Sequence, residues 1–310
     1  DEDVAMAYNR YILTDLLRDQ LGFEGVICTD WGVVTGRIWG VEPLTVEERY
    51  LKSIEAGVDQ YGGESDPEYI VGLVNQGKIS EARIDESVRR ILRNKFDLGL
   101  FETPFVDEAK VNALVNLPEY VSLGMTAQRN AVVLLDNESS ALPLAAETRI
   151  FVDGLDPSVA AKYGTVVATP DEADVVLLFL NTVFNGNQPA GTDRTLDQMM
   201  ATRFPDTNLA FSEEILARAA SYHDVSQLVT LVDLNRPAVL TELKKMSGAL
   251  VGTFGVSDEA MLDVVFGKHN PVGKLPFELP SSMAEVEAQL EDVPDDTANP
   301  LFPYGWGLRY

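Results

Sequence analysis

One cysteine stands in 310 residues, Cys28, so no internal disulfide can form. Lying in an apolar stretch, it reads as a small buried residue. Only two histidines occur, His223 and His269, and their spacing is not that of a metal-ligand pair, which argues against a zinc site. Basic residues are scarce: 24 Lys and Arg stand against 49 Asp and Glu, for a net charge of -25. Binding to nucleic acid rests on basic patches, so that class is disfavoured. Such acidity bears on solubility rather than fold. No apolar run approaches the length of a membrane span. The acidic start, Asp1-Glu2-Asp3, carries no visible signal peptide. No Gly-x-Gly-x-x-Gly follows any apolar run, which disfavours a dinucleotide site, and no cofactor is implied.

What is present is an α/β pattern long enough for two domains. Residues 5 to 21 read as a helix with Tyr8, Ile12, Leu13, Leu16 and Leu17 on one stripe and Gly22 as its stop. Val26-Ile27-Cys28 reads as a buried strand, which puts Asp30 at its carboxyl end, where α/β proteins build their sites. The plainer reading makes Asp30 a turn residue capping the next element. A glycine-spaced loop with Arg37, Trp39 and Glu42 follows. Thr45 with Glu48 predicts a capping box, and Val58 to Tyr61 a second short strand leaving through Gly62-Gly63. That glycine pair serves either a turn or the close approach of a ligand. Pro67 and Ser80 start two more helices. The second carries Ile84, Val88, Ile91, Leu92 and Phe96 on one side, and a basic face, Arg89, Arg90, Arg93 and Lys95, read as solvated. Residues 102–125 read as a linker. Beyond them, apolar runs at Ile150 to Val152, Val175 to Leu180, Leu228 to Val232 and Ala249 to Phe254 alternate with helical stretches, the pattern of a parallel sheet with helices on both faces.

The segment Leu16-Leu17-Arg18 through Gly22-Phe23-Glu24-Gly25 to Thr29-Asp30-Trp31 resembles the nucleophile segment of family 3 glycoside hydrolases. Further likeness lies in Ile84 to Leu92, in Asn130 to Asn137, in Gly273-Lys274-Leu275-Pro276 and in the closing Phe302-Pro303-Tyr304-Gly305-Trp306-Gly307-Leu308. The resemblance implies the last strands and helices of a truncated (β/α)8 barrel over 1–101, followed by an α/β sandwich with a mostly parallel sheet over 126–310. It implies retaining hydrolysis of β-linked glycosides, β-glucosidase-like, with β-xylosidase as the alternative within the family. It makes Asp30 the nucleophile and gives Trp31 a place in the sugar site. A barrel needs about 250 residues, so six upstream strands, in the same or a partner chain, are expected to be required for activity. A periplasmic or secreted location is also implied.

Retaining hydrolysis needs a second carboxyl group. The family's acid/base Glu precedes Gly-x-Asp-Arg, and the matching stretch here is Ala190-Gly191-Thr192-Asp193-Arg194, with Ala190 in its place. Glu213 and Glu214 are the candidates for that role, although their place after Ser212 also reads as first-turn stabilisation of a helix. Glu42, Glu64, Asp197 and Asp206 are left open, while Glu55 and Asp59 read as structural. A noncatalytic carbohydrate-binding or scaffold protein is the reading from another class.

Overall fold

The computed structural model describes residues 3–138, 140–181, 183, 208–290 and 292–310. Ala190, Asp193, Arg194, Asp197 and Asp206 lie outside them. Backbone contacts separate a first unit, Asp1–Ala113, from a second drawn from Leu114–Pro189 and Phe204–Tyr310.

In the first unit, the helix expected over residues 5–21 is broken. A short turn, Met6–Tyr8, is followed by a wide helix, Tyr11–Gln20, with an i→i−5 bond from Leu21 N–H to Leu16 O at 3.0 Å. Asn9 causes the break: its backbone is extended and its side chain accepts the Ile12 N–H at 3.1 Å, capping the second piece. Gly22, at φ +70°, ends that piece. Strand β1 is Cys28–Trp31, two residues later than the apolar run predicts. Strand β2 is Gln60–Gly62, parallel to β1, with Cys28 opposite Gln60 and Trp31 opposite Gly62. The later start has a local cause. Ile27, just ahead of β1, donates its N–H to the Asp59 carboxylate at 2.9 Å and accepts from Asp59 N and Gln60 N at 2.9 and 3.1 Å.

The helix Val46–Ala56 joins the two strands. Thr45 and Glu48 form the expected box: Thr45 Oγ1 accepts Glu48 N–H at 3.3 Å, and Glu48 Oε2 accepts Thr45 N–H at 2.8 Å. The helices Pro67–Asn75 and Glu81–Asp97 follow, the latter capped by Ser80. Arg90 is a correction to the sequence reading. It is not on a solvated face but bonds Asp59 at 2.8 Å, joining Arg18 at 2.5 Å and the Ser87 hydroxyl at 2.6 Å around a carboxylate with no exposed surface. Burial alone would raise the Asp59 pKa. The Ile27 amide, Ser87, Arg90 and Arg18 outweigh it and hold the group below its ordinary value. Residues 102–125, read as a linker, contain the helix Glu108–Leu114 and the start of Pro118–Ala131.

The second unit holds a six-stranded sheet. Its strands are β3 (Val133–Asp136), β4 (Arg149–Asp153), β5 (Thr165–Val166), β6 (Val175–Leu180), β7 (Gln227–Asp233) and β8 (Ala249–Thr253), in the spatial order β3-β8-β7-β6-β4-β5. Only β3 is antiparallel to its neighbour. Side-chain alternation assigns the two faces. Leu177, Val229, Leu231 and Val251 enter one core, while Val176, Leu178, Leu228 and Leu250 enter the other. The helices Glu213–His223 and Asp258–Val265 are capped by Ser212 and Ser257. A small antiparallel pair, β9 (Leu279–Pro280) and β10 (Pro300–Phe302), precedes the tail, where Trp306 Nε1 donates to Leu135 O at 2.8 Å. The α/β class expected from the sequence is the one observed.

Candidate active site

The period of a strand decides what β1 presents. Thr29 points inward, is buried, and accepts the Gly62 N–H at 3.0 Å. Cys28 and Asp30 share the opposite face. The expectation of a buried Cys28 is therefore corrected: its residue is exposed, facing an open cavity rather than a packed core. Both residues line a mostly apolar cavity of about 490 Å³ with Leu13, Leu17, Phe23 and Trp39. Among the described residues, Asp30 is the one carboxylate along its wall and Arg37 the one cation.

Both oxygens of Asp30 have partners. Oδ1 accepts the Trp31 N–H at 2.7 Å, and Oδ2 pairs with the Arg37 guanidinium. The Asp30 side chain is 62% exposed and that of Arg37 only 19%. Sequence reading placed Arg37 in the loop but missed this pairing. Seven positions apart in an irregular segment is not a spacing that periodicity interprets.

Trp31 is 63% exposed. The glycine pair explains how it is held. A Cβ on Gly62 would lie 2.8 Å from Trp31 Cε3, and one on Gly63, at φ +68°, would lie 2.6 Å from Cδ1. The indole thus rests on bare backbone that a side chain would obstruct. What approaches the glycines closely is the Trp31 ring.

Two other acids near β1 and β2 have backbone partners. Glu64 Oε1 accepts the Val34 and Thr35 N–H groups at 2.9 and 3.2 Å. Glu42 accepts the Gly40 N–H at 3.1 Å; its own amide and that of Gly40 hold its carboxyl below the ordinary value. Tyr61, at the exit of β2, bonds the Ser53 hydroxyl at 2.6 Å, and burial pushes its pKa up. Glu213 and Glu214 lie in the second unit. They are exposed first-turn residues of Glu213–His223, whose cap is the Ser212 hydroxyl accepting Ile215 N–H at 3.4 Å. A helix N-terminus favours an ionised carboxylate, whereas a general acid needs a raised pKa. Among the described residues, no group of three or more His, Cys, Asp or Glu is placed to hold a metal ion, and no helix is long and apolar enough to cross a membrane.

A strand-end carboxylate in a two-stranded βαβ unit, followed by a separate, mostly parallel six-stranded sheet, makes this a mixed α/β protein. The chain belongs to glycosyl hydrolase family 3: residues 1–94 match the family 3 N terminal domain and residues 160–310 its C-terminal domain. Beta-glucosidase C of Emericella nidulans is 45% identical over 325 residues, covering 100% of this chain and 51% of that protein. The periplasmic beta-glucosidase/beta-xylosidase of Dickeya chrysanthemi is 38% identical over 331 residues, covering 100% of this chain and 49% of its own. The crystal structure of beta-glucosidase from Listeria innocua in complex with isofagomine shares the fold, with a TM-score of 0.77 over 98% of this chain and 50% of that one, at 23% identity. The chain spans about half the length of the curated relatives it matches.

Proposed function

We propose that this chain carries the nucleophile of a retaining β-glycosidase of β-glucosidase type, with Asp30 attacking and Trp31 offering a stacking face to the sugar. The observation that carries this reading is the position of Asp30. Among the described residues it is the one carboxylate on the cavity beside β1, and it sits next to an exposed tryptophan whose ring rests on two glycines. An aromatic ring so placed suits the apolar face of a pyranose.

The chemistry follows from two carboxyl groups roughly 5–5.5 Å apart. Asp30, ionised at neutral pH, attacks the anomeric carbon. The bond to the leaving oxygen breaks, and that oxygen takes a proton from the acid. The resulting glycosyl ester on Asp30 is then cleaved by water, which the same acid, now a base, deprotonates. Glu213 and Glu214 are the acid/base candidates among the described residues. Six further strands, upstream in the same chain or supplied by a partner, complete the barrel and are needed for turnover. The support for this is that β1 and β2 pair only with each other among the described residues, and that the relatives are about twice as long. Without that half the chain is inactive. Its domains run 1–101 and 126–310, joined through 102–125. The place of action is the periplasm or the exterior, a reading supported by the word periplasmic in the names of two relatives.

β-Xylosidase activity is the second reading, favoured by the double name of the Dickeya chrysanthemi relative. A noncatalytic sugar-binding role is favoured by Ala190 standing where the family's Glu is expected. The test is turnover of aryl β-glucosides and β-xylosides by the protein with its barrel complete. Asp30→Ala should lower kcat by on the order of 10⁴-fold or more, the scale of losing a catalytic nucleophile. Sugar binding with no hydrolysis of either substrate would instead favour the noncatalytic reading.

A further inference from the structure

The residues after β1 form a single helical turn. Gly32, at φ +66°, accepts the N–H groups of Gly36 and Arg37 through its carbonyl at 2.9 and 3.0 Å. Such a turn leaves N–H groups unsatisfied at its start, where a helix would carry its own capping side chain. Here the cap comes from 30 residues away. Glu64, just beyond β2, accepts Val34 N–H at 2.9 Å and Thr35 N–H at 3.2 Å, and the Thr35 hydroxyl donates to its two oxygens at 3.4 and 3.3 Å. The carbonyl side is held as well. Tyr8 OH donates to Val33 O at 2.9 Å and Arg49 Nη1 to Val34 O at 3.1 Å.

This fixed turn ends at Arg37, whose guanidinium meets Asp30. Gly32 N–H also donates to Gly62 O at 3.2 Å, so the turn is tied to both strands. A side chain that must cross back to the strand it has just left needs its Cα held in place. Glu64 supplies a large part of that hold.

We propose that Glu64 is a positioning residue for the nucleophile: it caps the Gly32–Arg37 turn and thereby keeps the Arg37 cation on Asp30. This rests on the reading of Asp30 as nucleophile for its catalytic meaning, though not for its electrostatic one. A guanidinium beside a carboxylate favours the ionised form, the form that attacks. Among the described residues, few other groups bear on Asp30. From its own strand comes the Cys28 thiol and from the turn Arg37. The helix Tyr11–Gln20 contributes the apolar Leu13 and Leu17 to the shared cavity, and residues 5–7 are uncharged.

The test is a carbon-13 NMR titration of the Asp30 carboxyl in this chain, compared across Glu64→Gln, Glu64→Asp, Arg37→Gln and Arg37→Lys, with amide spectra as the check on folding. Arg37→Gln should raise the Asp30 midpoint by about 1 pH unit, the low end of the range for a close opposite charge because the pair is partly exposed. Glu64→Gln should reproduce most of that rise, although no charge at Asp30 has been touched. Arg37→Lys and Glu64→Asp should each restore part of the native value. A Glu64→Gln chain that folds and keeps the native Asp30 midpoint would overturn the proposal. If Glu64→Gln does not fold, Glu64→Asp decides: a longer reach to the turn should leave the midpoint between those of the native chain and Arg37→Gln, and an unshifted midpoint overturns the proposal. In the protein with its barrel complete, the acid limb of kcat/KM should move with the NMR midpoint. A chain whose NMR midpoints shift as stated while Asp30→Ala retains turnover would leave the positioning intact and reject the nucleophile reading.

Discussion

The two units solve burial differently. In the second, six strands carry one layer of side chains into each of two cores, and Leu177, Leu178, Val229 and Leu231 are fully buried. In the first, a few small clusters form between helices and turns beside two short strands, the largest built on Val34, Tyr50, Ile54, Leu73 and Ile79. Its helix Glu81–Asp97 leaves Val88, Leu92 and Phe96 exposed, and its candidate nucleophile faces an open cavity. The first unit has a polar centre in Asp59 with Arg18, Ser87 and Arg90, and the second has one in Asp263 with Arg129 and Tyr163, set beside its much larger apolar cores. Hydrophobic burial organises one unit. A single buried carboxylate organises much of the other, fixing the start of β1 through Ile27 and so the direction in which Asp30 points.

That contrast can be broken from either side. The largest effect is expected at Asp59. Asp59→Ala leaves the guanidinium groups of Arg18 and Arg90 without their shared partner, and removing one member of a buried ion pair costs about 3–5 kcal/mol. Hydrogen exchange should show protection lost between Ile27 and Arg90 while β6 and β7 keep theirs. The converse change is Leu177→Ala. It opens a cavity in a sheet core and should cost about 2–5 kcal/mol, with protection lost in β4, β6 and β7 and kept around Asp59. If both variants weakened both regions equally, the distinction between the units would fail.

A smaller effect comes from pH. The Asp59 pKa lies below its ordinary value in the folded chain. Its contribution is therefore complete above the unfolded carboxylate value of about 4 and is lost as pH falls through the lower folded value. Acid should open the first unit below about pH 4, and Asp59→Asn should flatten that dependence. An unchanged acid transition in Asp59→Asn would contradict the role given to this carboxylate.

The same contrast governs what the sequence disclosed. The sheet of the second unit was legible because its strands are continuous apolar runs, and Val175–Leu180 appears in the fold with the bounds of its run. The Thr45–Glu48 box was legible because its partners lie three residues apart. The polar contacts of the first unit were not. Arg90 reaches Asp59 across 31 positions, Glu64 reaches Val34 across 30, and the exposure of Cys28 depends on what covers β1. Residue type and spacing report local order, whereas these contacts are made by the chain returning on itself. Asp30 stood out through its place at the end of an apolar run and, with Trp31, through the likeness of their segment to a family, and the pairing of Asp30 with Arg37 through neither route.

The most direct measurement is capture of the glycosyl ester. The protein with its barrel complete is treated with an activated 2-deoxy-2-fluoro-β-glucoside, digested, and read by mass spectrometry. The account predicts one added fluoroglucosyl group on the peptide that holds Asp30, and none in Asp30→Ala. A label on any other carboxylate, with Asp30 unmodified, would contradict it.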